Sequence, residues 1–142
     1  MATPVRDTWE SKVVTSTTVN DSDQAIAVTL GEQWHIMSVH VKYASTATAG
    51  NRQIVLQLLS GATVVDEVRA GLVQAASKTY YYTFQPGAEN MIALVDSDWL
   101  TTHIPPTWIL GYGESVRVLD NNAVAAAADD MEIRMRVLAR SV

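Results

Sequence analysis

Three histidines, three pairs of neighbouring aspartates and a group of aromatic rings are the side chains in this sequence best suited to chemistry. Their spacing limits what they can do. His35 and His40 are the nearest imidazole pair, and on a continuous strand their odd separation turns them to opposite faces. Without a bulge they cannot share a metal ion, and His103 stands far off in a Pro-rich stretch. No metal site is expected. Asp21 with Asp23, Asp96 with Asp98, and Asp129 with Asp130 fall in loops or at strand boundaries. Calcium needs about six or more oxygen ligands, whereas aspartates bonded to their own turn backbone account for each pair more simply. The string GYGESV, from Gly111 to Val116, lacks the third glycine of a dinucleotide fingerprint and leads into a β pattern, so it reads as a turn. Neither a phosphate-cradling GxxxxGK nor a GxSxG nucleophile elbow occurs. No catalytic residue and no cofactor are therefore expected. Trp99, Trp108 and Tyr112 flank the Pro-rich loop, where rings serve as a platform for sugar, as an anchor for a protein neighbour, or as core.

Composition narrows the classes further. A chain of 142 residues forms one domain able to bury roughly 68% of its unfolded surface. It contains no cysteine, which removes thiol nucleophiles, thiolate zinc sites and redox switching. A formal charge of -5, with ten Lys and Arg and no basic run, disfavours nucleic acid as a partner. Charged residues make up 18% of the chain against the ~25% of an average domain, which suggests a surface partly covered by other subunits. No apolar stretch approaches the ~20 residues of a membrane span, and Met1 to Thr18 has no apolar core of signal-peptide length. A soluble protein with neither a membrane partner nor an export address is expected.

The elements that must position these residues are strands. Met131, Ile133, Met135 and Val137 alternate with Glu132, Arg134 and Arg136, the pattern of a strand with one face on a core. Between Trp34 and Tyr43 the same rhythm predicts Met37, Val39, Val41 and Tyr43 on one face and Ser38, His40 and Lys42 on the other. Further strands are expected at 25–30, at 53–59 and 63–69 as a hairpin, at 78–84 with Tyr80, Tyr82 and Phe84 sharing a face, at 91–95 and at 115–119. Residues 96–106 read as a long loop, and the alanine run 123–128 as a short helix or a tight connection. Residues 1–18 show no amphipathic period and read as an extended N-terminal arm, leaving 19–142 as a single domain. About eight strands without βα alternation predict an all-β, antiparallel β-sandwich. It is jelly-roll-like if the strands form two Greek keys, with an immunoglobulin-like topology the open alternative.

The segment TATAGNRQIVLQL, the aromatic YYYTFQPG and the closing GYGESVRVLDNNAVAAAADDMEIRMRV together resemble small virion structural proteins of tailed bacteriophages. Within that group the sequence is similar, over roughly residues 30 to 138, to head decoration (cement) proteins with a jelly-roll-like fold. The resemblance implies a noncatalytic homodimer or homotrimer, assembled into virions in the host cytoplasm and seated on the outer capsid surface. There it would bridge subunits of the major capsid protein. The partner contacts expected on this view are Trp9, Val13 and Val14 of the arm, with Trp99 and Trp108. The alternative is a carbohydrate- or receptor-binding module of a tail fibre or baseplate, using Trp99, Trp108 and Tyr112 for stacking.

Overall fold

In the computed structural model, which describes residues 8–87 and 98–142, the alternating C-terminal segment is a long strand. Its inward residues Met131, Ile133, Met135, Val137 and Ala139 are all buried. In chain order the strands are β1 (Glu10–Ser16), β2 (Asp23–Ala27), β3 (Glu32–Ala44), β4 (Ile54–Ser60) and β5 (Thr63–Arg69). They continue as β6 (Thr79–Gln85), β7 (Trp99–His103), β8 (Ile109–Leu110), β9 (Glu114–Asp120) and β10 (Asp130–Ser141). A six-stranded sheet has the order β1-β10-β3-β6-β7, with β8 pairing the start of β3, and a four-stranded sheet has the order β2-β9-β4-β5. With β7 and β8 set aside, successive strands alternate between the sheets except at the β4–β5 hairpin, and the first pairs with the last, which is the double Greek key of a jelly roll. β7 and β8 are additions to that eight-strand plan. Trp34, Ile36, Val39, Val41 and Tyr43 of β3 meet Ile54, Leu56 and Leu58 of β4 and Val116 and Val118 of β9 in one core between the sheets.

A bulge at Met37 changes the expected faces of β3. Arg136 pairs with Ser38 and Val137 with Ile36, so Met37 is an extra residue opposite β10. The inward set therefore switches phase, from Trp34 and Ile36 to Val39, Val41 and Tyr43, and Met37 does not join the core. The same switch puts His35 and His40 on one face, against the expectation for a continuous strand. Five residues along a strand still hold them on the order of 15 Å apart.

The segment expected as an arm is extended over Glu10–Ser16 and lies as edge strand β1 along β10. Its pattern hides this because Lys12 occupies an inward position. Its Nζ reaches Glu32 Oε2 at 2.9 Å and lies 5.4 Å from the Trp34 ring centre, so the stem covers the core edge. Part of the expected loop 96–106 is also a strand, because β7 pairs in parallel with β6. Such neighbours need a crossover, and most of that connection, with the strand expected at 91–95, lies outside the described residues. The alanine run 123–128 is a series of turns and not a helix. The expected hairpin is present, with Gly61 (φ +58°) opening the two-residue loop between Ser60 and Thr63.

Candidate functional site

The alternation that buries one side of β10, β3 and β6 must expose the other, and the outer face of the six-stranded sheet is where the chemistry collects. In register across it lie Glu132, Lys42, Tyr81 and Trp99, and beside them Arg134, His40, Thr83 and Thr101. Tyr81 and Trp99 stack at 4.3 Å between ring centres with 14° between planes. His40 lies 6.4 Å from Tyr81 and 6.2 Å from Trp99. His40, Lys42, Tyr81, Glu132 and Arg134 line an open cleft of about 200 Å³. That is below the ~300–1,000 Å³ of a pocket that engulfs a small molecule, so the cleft suits one ring or one side chain of a larger partner. Partial burial, with the positive charge of Arg134 beside it, lowers the His40 pKa and favours the neutral ring. Its Nδ1 is 3.2 Å from Thr83 Oγ1.

Further along β10 the same face carries Arg136 and Arg140. Arg136 Nη1 donates to Ser11 Oγ at 2.9 Å. The Arg140 guanidinium stands 4.6 Å from the Trp9 ring centre, and Trp9 meets His35 edge-on at 6.2 Å. Val13, paired with Arg136, is 54% exposed, and Ile109, paired with His35, is 47% exposed. Among the described residues no carboxylate lies within ion-pair distance of Lys42, Arg134, Arg136 or Arg140.

Of the five residues expected to contact a partner, Trp9, Val13 and Trp99 lie on this face but not together: Trp9 and Val13 stand at the β1 edge beside Arg140 and Arg136, and Trp99, 42% exposed, stands on β7 at the opposite edge against Tyr81. Val14 points the other way and packs against the core. Trp108 is corrected from a surface contact to a core residue: it is 5% exposed, and its Nε1 donates to Asp66 Oδ2 at 2.8 Å. Tyr112 is exposed in the turn before β9 and joins neither tryptophan, so the three rings do not form one platform. Tyr81, His40, Lys42 and Arg134 were not among the expected contacts. The available signal was phase: each sits at a position alternating with buried apolar residues.

A second cluster lies at one end of the sandwich. Arg52 and Asp129 are both fully buried and paired, with Nε donating to Oδ2 at 2.8 Å. Asp129 also accepts from the Thr46 amide at 2.7 Å and the Tyr43 hydroxyl at 2.9 Å. Arg52 Nη1 donates to the carbonyls of Thr48 and Gly50. Burial alone would raise the Asp129 pKa, but these donors outweigh it and hold the carboxyl below its usual range. Tyr43 is pushed upward by burial and by its bond to that carboxylate. Gly50 is required beside Arg52: its φ is +137°, and a Cβ there would meet Val124 Cγ1 at 2.9 Å. Among the described residues no buried side-chain polar atom lacks a partner, so the cluster acts as a closed staple between loops. Asp21 and Asp120 behave as turn aspartates, accepting from the Asp23 and Asn122 amides respectively.

No protein-family model matches the chain, and no curated protein matches it. Among solved structures, a chain from the Bacillus endospore appendages, which form a novel family of disulfide-linked pili, is 11% identical with a TM-score of 0.38, covering 99% of this chain and 92% of that one. A chain of the infectious bursal disease virus Gx strain is 9% identical with a TM-score of 0.31, covering 94% of this chain and 32% of that one. PfGH50B is 11% identical with a TM-score of 0.32, and 98% of this chain spans 22% of its length.

Proposed function

We propose that this protein is a noncatalytic structural subunit that docks on neighbouring proteins through the outer face of its six-stranded sheet. More specifically, we propose a decoration protein of a tailed-bacteriophage capsid, working as a homodimer or homotrimer that bridges major capsid protein subunits. The observation that carries the docking surface is that Trp9, Val13, Ile109, Tyr81 and Trp99 are spread over one sheet face with four cations that, among the described residues, make no ion pair with a carboxylate, on a chain of formal charge -5. Exposed aromatics ringed by polar groups are the usual anchors of a protein interface. The capsid assignment draws on the sequence resemblance. An oligomer seated on a repeating lattice would hold through several weak contacts at once, with the second and third made at high effective concentration.

Retention on capsid particles tests this. Trp99→Ala should lower the affinity by roughly 30-fold, as expected for an interface aromatic worth about 2 kcal/mol. Undiminished retention of both Trp99→Ala and Val13→Asp would remove the docking face. The stacked Tyr81 and Trp99 beside a ring-sized cleft also favour a second reading, a carbohydrate-binding module of a tail fibre or baseplate. A glycan array showing binding that Trp99→Ala abolishes, with no retention on capsids, would select it.

A further inference from the structure

Building on that docking reading, we infer that the partner presents an extended protein segment with carboxylates at alternate positions, laid along the arginines of β10. Lys12, Arg52, Arg69 and Arg117 each have a carboxylate partner within the chain. Among the described residues Arg134, Arg136 and Arg140 do not, and all three point outward from one strand. Arg134 and Arg136 are successive outward positions, ~6.8 Å apart, and Arg140 follows one position beyond the outward Leu138; an extended partner presents alternate side chains at the same repeat. Arg136 and Arg140 are oriented by Ser11 and by Gln33, whose Oε1 accepts from Arg140 Nε at 2.8 Å. These bonds leave most of each guanidinium's donors free for a carboxylate. Lys42 adds a fourth positive charge, next to Glu132, and Asp130 and Glu132 make the far end of the β10 stripe acidic. The stripe is therefore polar end to end, which fixes the direction of the incoming segment.

Three alternatives fit less well. A second copy meeting this face with its own would bring like charges together. A nucleic acid would gain the arginines but face repulsion from the rest of an acidic chain. A polyuronate would leave Val13 and Ile109, at opposite sides of the arginines, without apolar partners.

The test uses the full chain and four probes: a peptide of alternating Glu and Thr, its Gln-Thr counterpart, a polyuronate, and a single-stranded oligodeoxynucleotide. The Glu-Thr peptide should bind, weaken as salt rises, and bind R134E/R136E at least ten-fold more weakly, while the Gln-Thr peptide does not bind. R134Q/R136Q should fall between, and thermal melting should show all variants folded. Undetectable binding of the Glu-Thr peptide, equal binding by R134E/R136E, or binding of only the polyuronate or the oligonucleotide overturns the inference. Capsid retention separates the two levels. Loss with Trp99→Ala but full retention of R134E/R136E keeps the docking face and removes the acidic segment. Full retention of both removes the docking face itself.

Discussion

The two outer faces of the sandwich resolve their charges in opposite ways. Across the four-stranded sheet a polar row spans every strand: Arg117 forks onto Asp23, its Nη1 donates to Gln57 Oε1, Gln57 Nε2 donates to Glu67 Oε2 at 2.8 Å, and Arg69 Nε donates to Glu67 Oε1 at 2.7 Å. The bonds from Gln57 and Arg69 hold the Glu67 carboxyl below its usual range, and the bond to Asp23 raises the Arg117 pKa. The six-stranded sheet has the same alternation and the same alphabet, yet among the described residues its outward cations make no ion pair with a carboxylate, and Trp99 stands 42% exposed. One face is satisfied by the chain itself. The other is not, and that difference is what the proposed docking face rests on.

The largest effect should come from beneath both faces. Asp129→Asn leaves the Arg52 charge buried without its partner and should cost about 3–5 kcal/mol, which for a domain of this size lowers Tm by roughly 10 °C or more in calorimetry. Because the folded Asp129 pKa lies below its unfolded value, its contribution is present above about pH 4 and is lost as pH falls through the folded pKa. Asp129→Asn should therefore flatten the acid limb of the stability curve, and an unchanged acid limb would show that the staple contributes little.

Next in size, Trp99→Ala should weaken partner binding by about 2 kcal/mol while shifting Tm by only a few degrees, since the ring is half exposed. The mirror substitution, Arg117→Ala on the satisfied face, should cost about 1 kcal/mol of stability and leave partner affinity unchanged. A reversal of those two results would erase the distinction between the faces. The smallest effect belongs to His40, whose folded pKa is lowered: its contribution is complete above the unfolded value of about 6.5 and is lost as pH falls through the folded pKa. His40→Gln should remove a slight fall in stability near pH 6, measurable by urea titration at several pH values.

The strand plan was legible wherever one face meets the core continuously. Met131, Ile133, Met135 and Val137 alternate because each must reach the facing sheet, and Tyr80, Tyr82 and Phe84 do the same on β6. The pattern failed where another influence entered. Met37 is apolar and in phase with Val39, yet the bulge that expels it depends on its pairing with β10, about a hundred residues away. β1 was hidden because an edge strand can turn a lysine stem inward. β7 was hidden because Pro105 and Pro106 follow it so closely. At the site, Trp99 and Trp108 are chemically alike, and only the fold sends one to solvent and the other to the core. The pairing of Arg52 with Asp129 spans 77 positions and has no local signature. The basic stripe was visible as Arg134 and Arg136 alternating with buried residues, but nothing in the sequence showed that no carboxylate among the described residues would form an ion pair with them.

Oxidative footprinting of the chain, free and bound to capsid particles, tests the docking face most directly. The account predicts that Trp99, Tyr81 and Trp9 lose reactivity on binding while Tyr112, exposed elsewhere, keeps it. Protection of Tyr112 with Trp99 and Trp9 still reactive would contradict it.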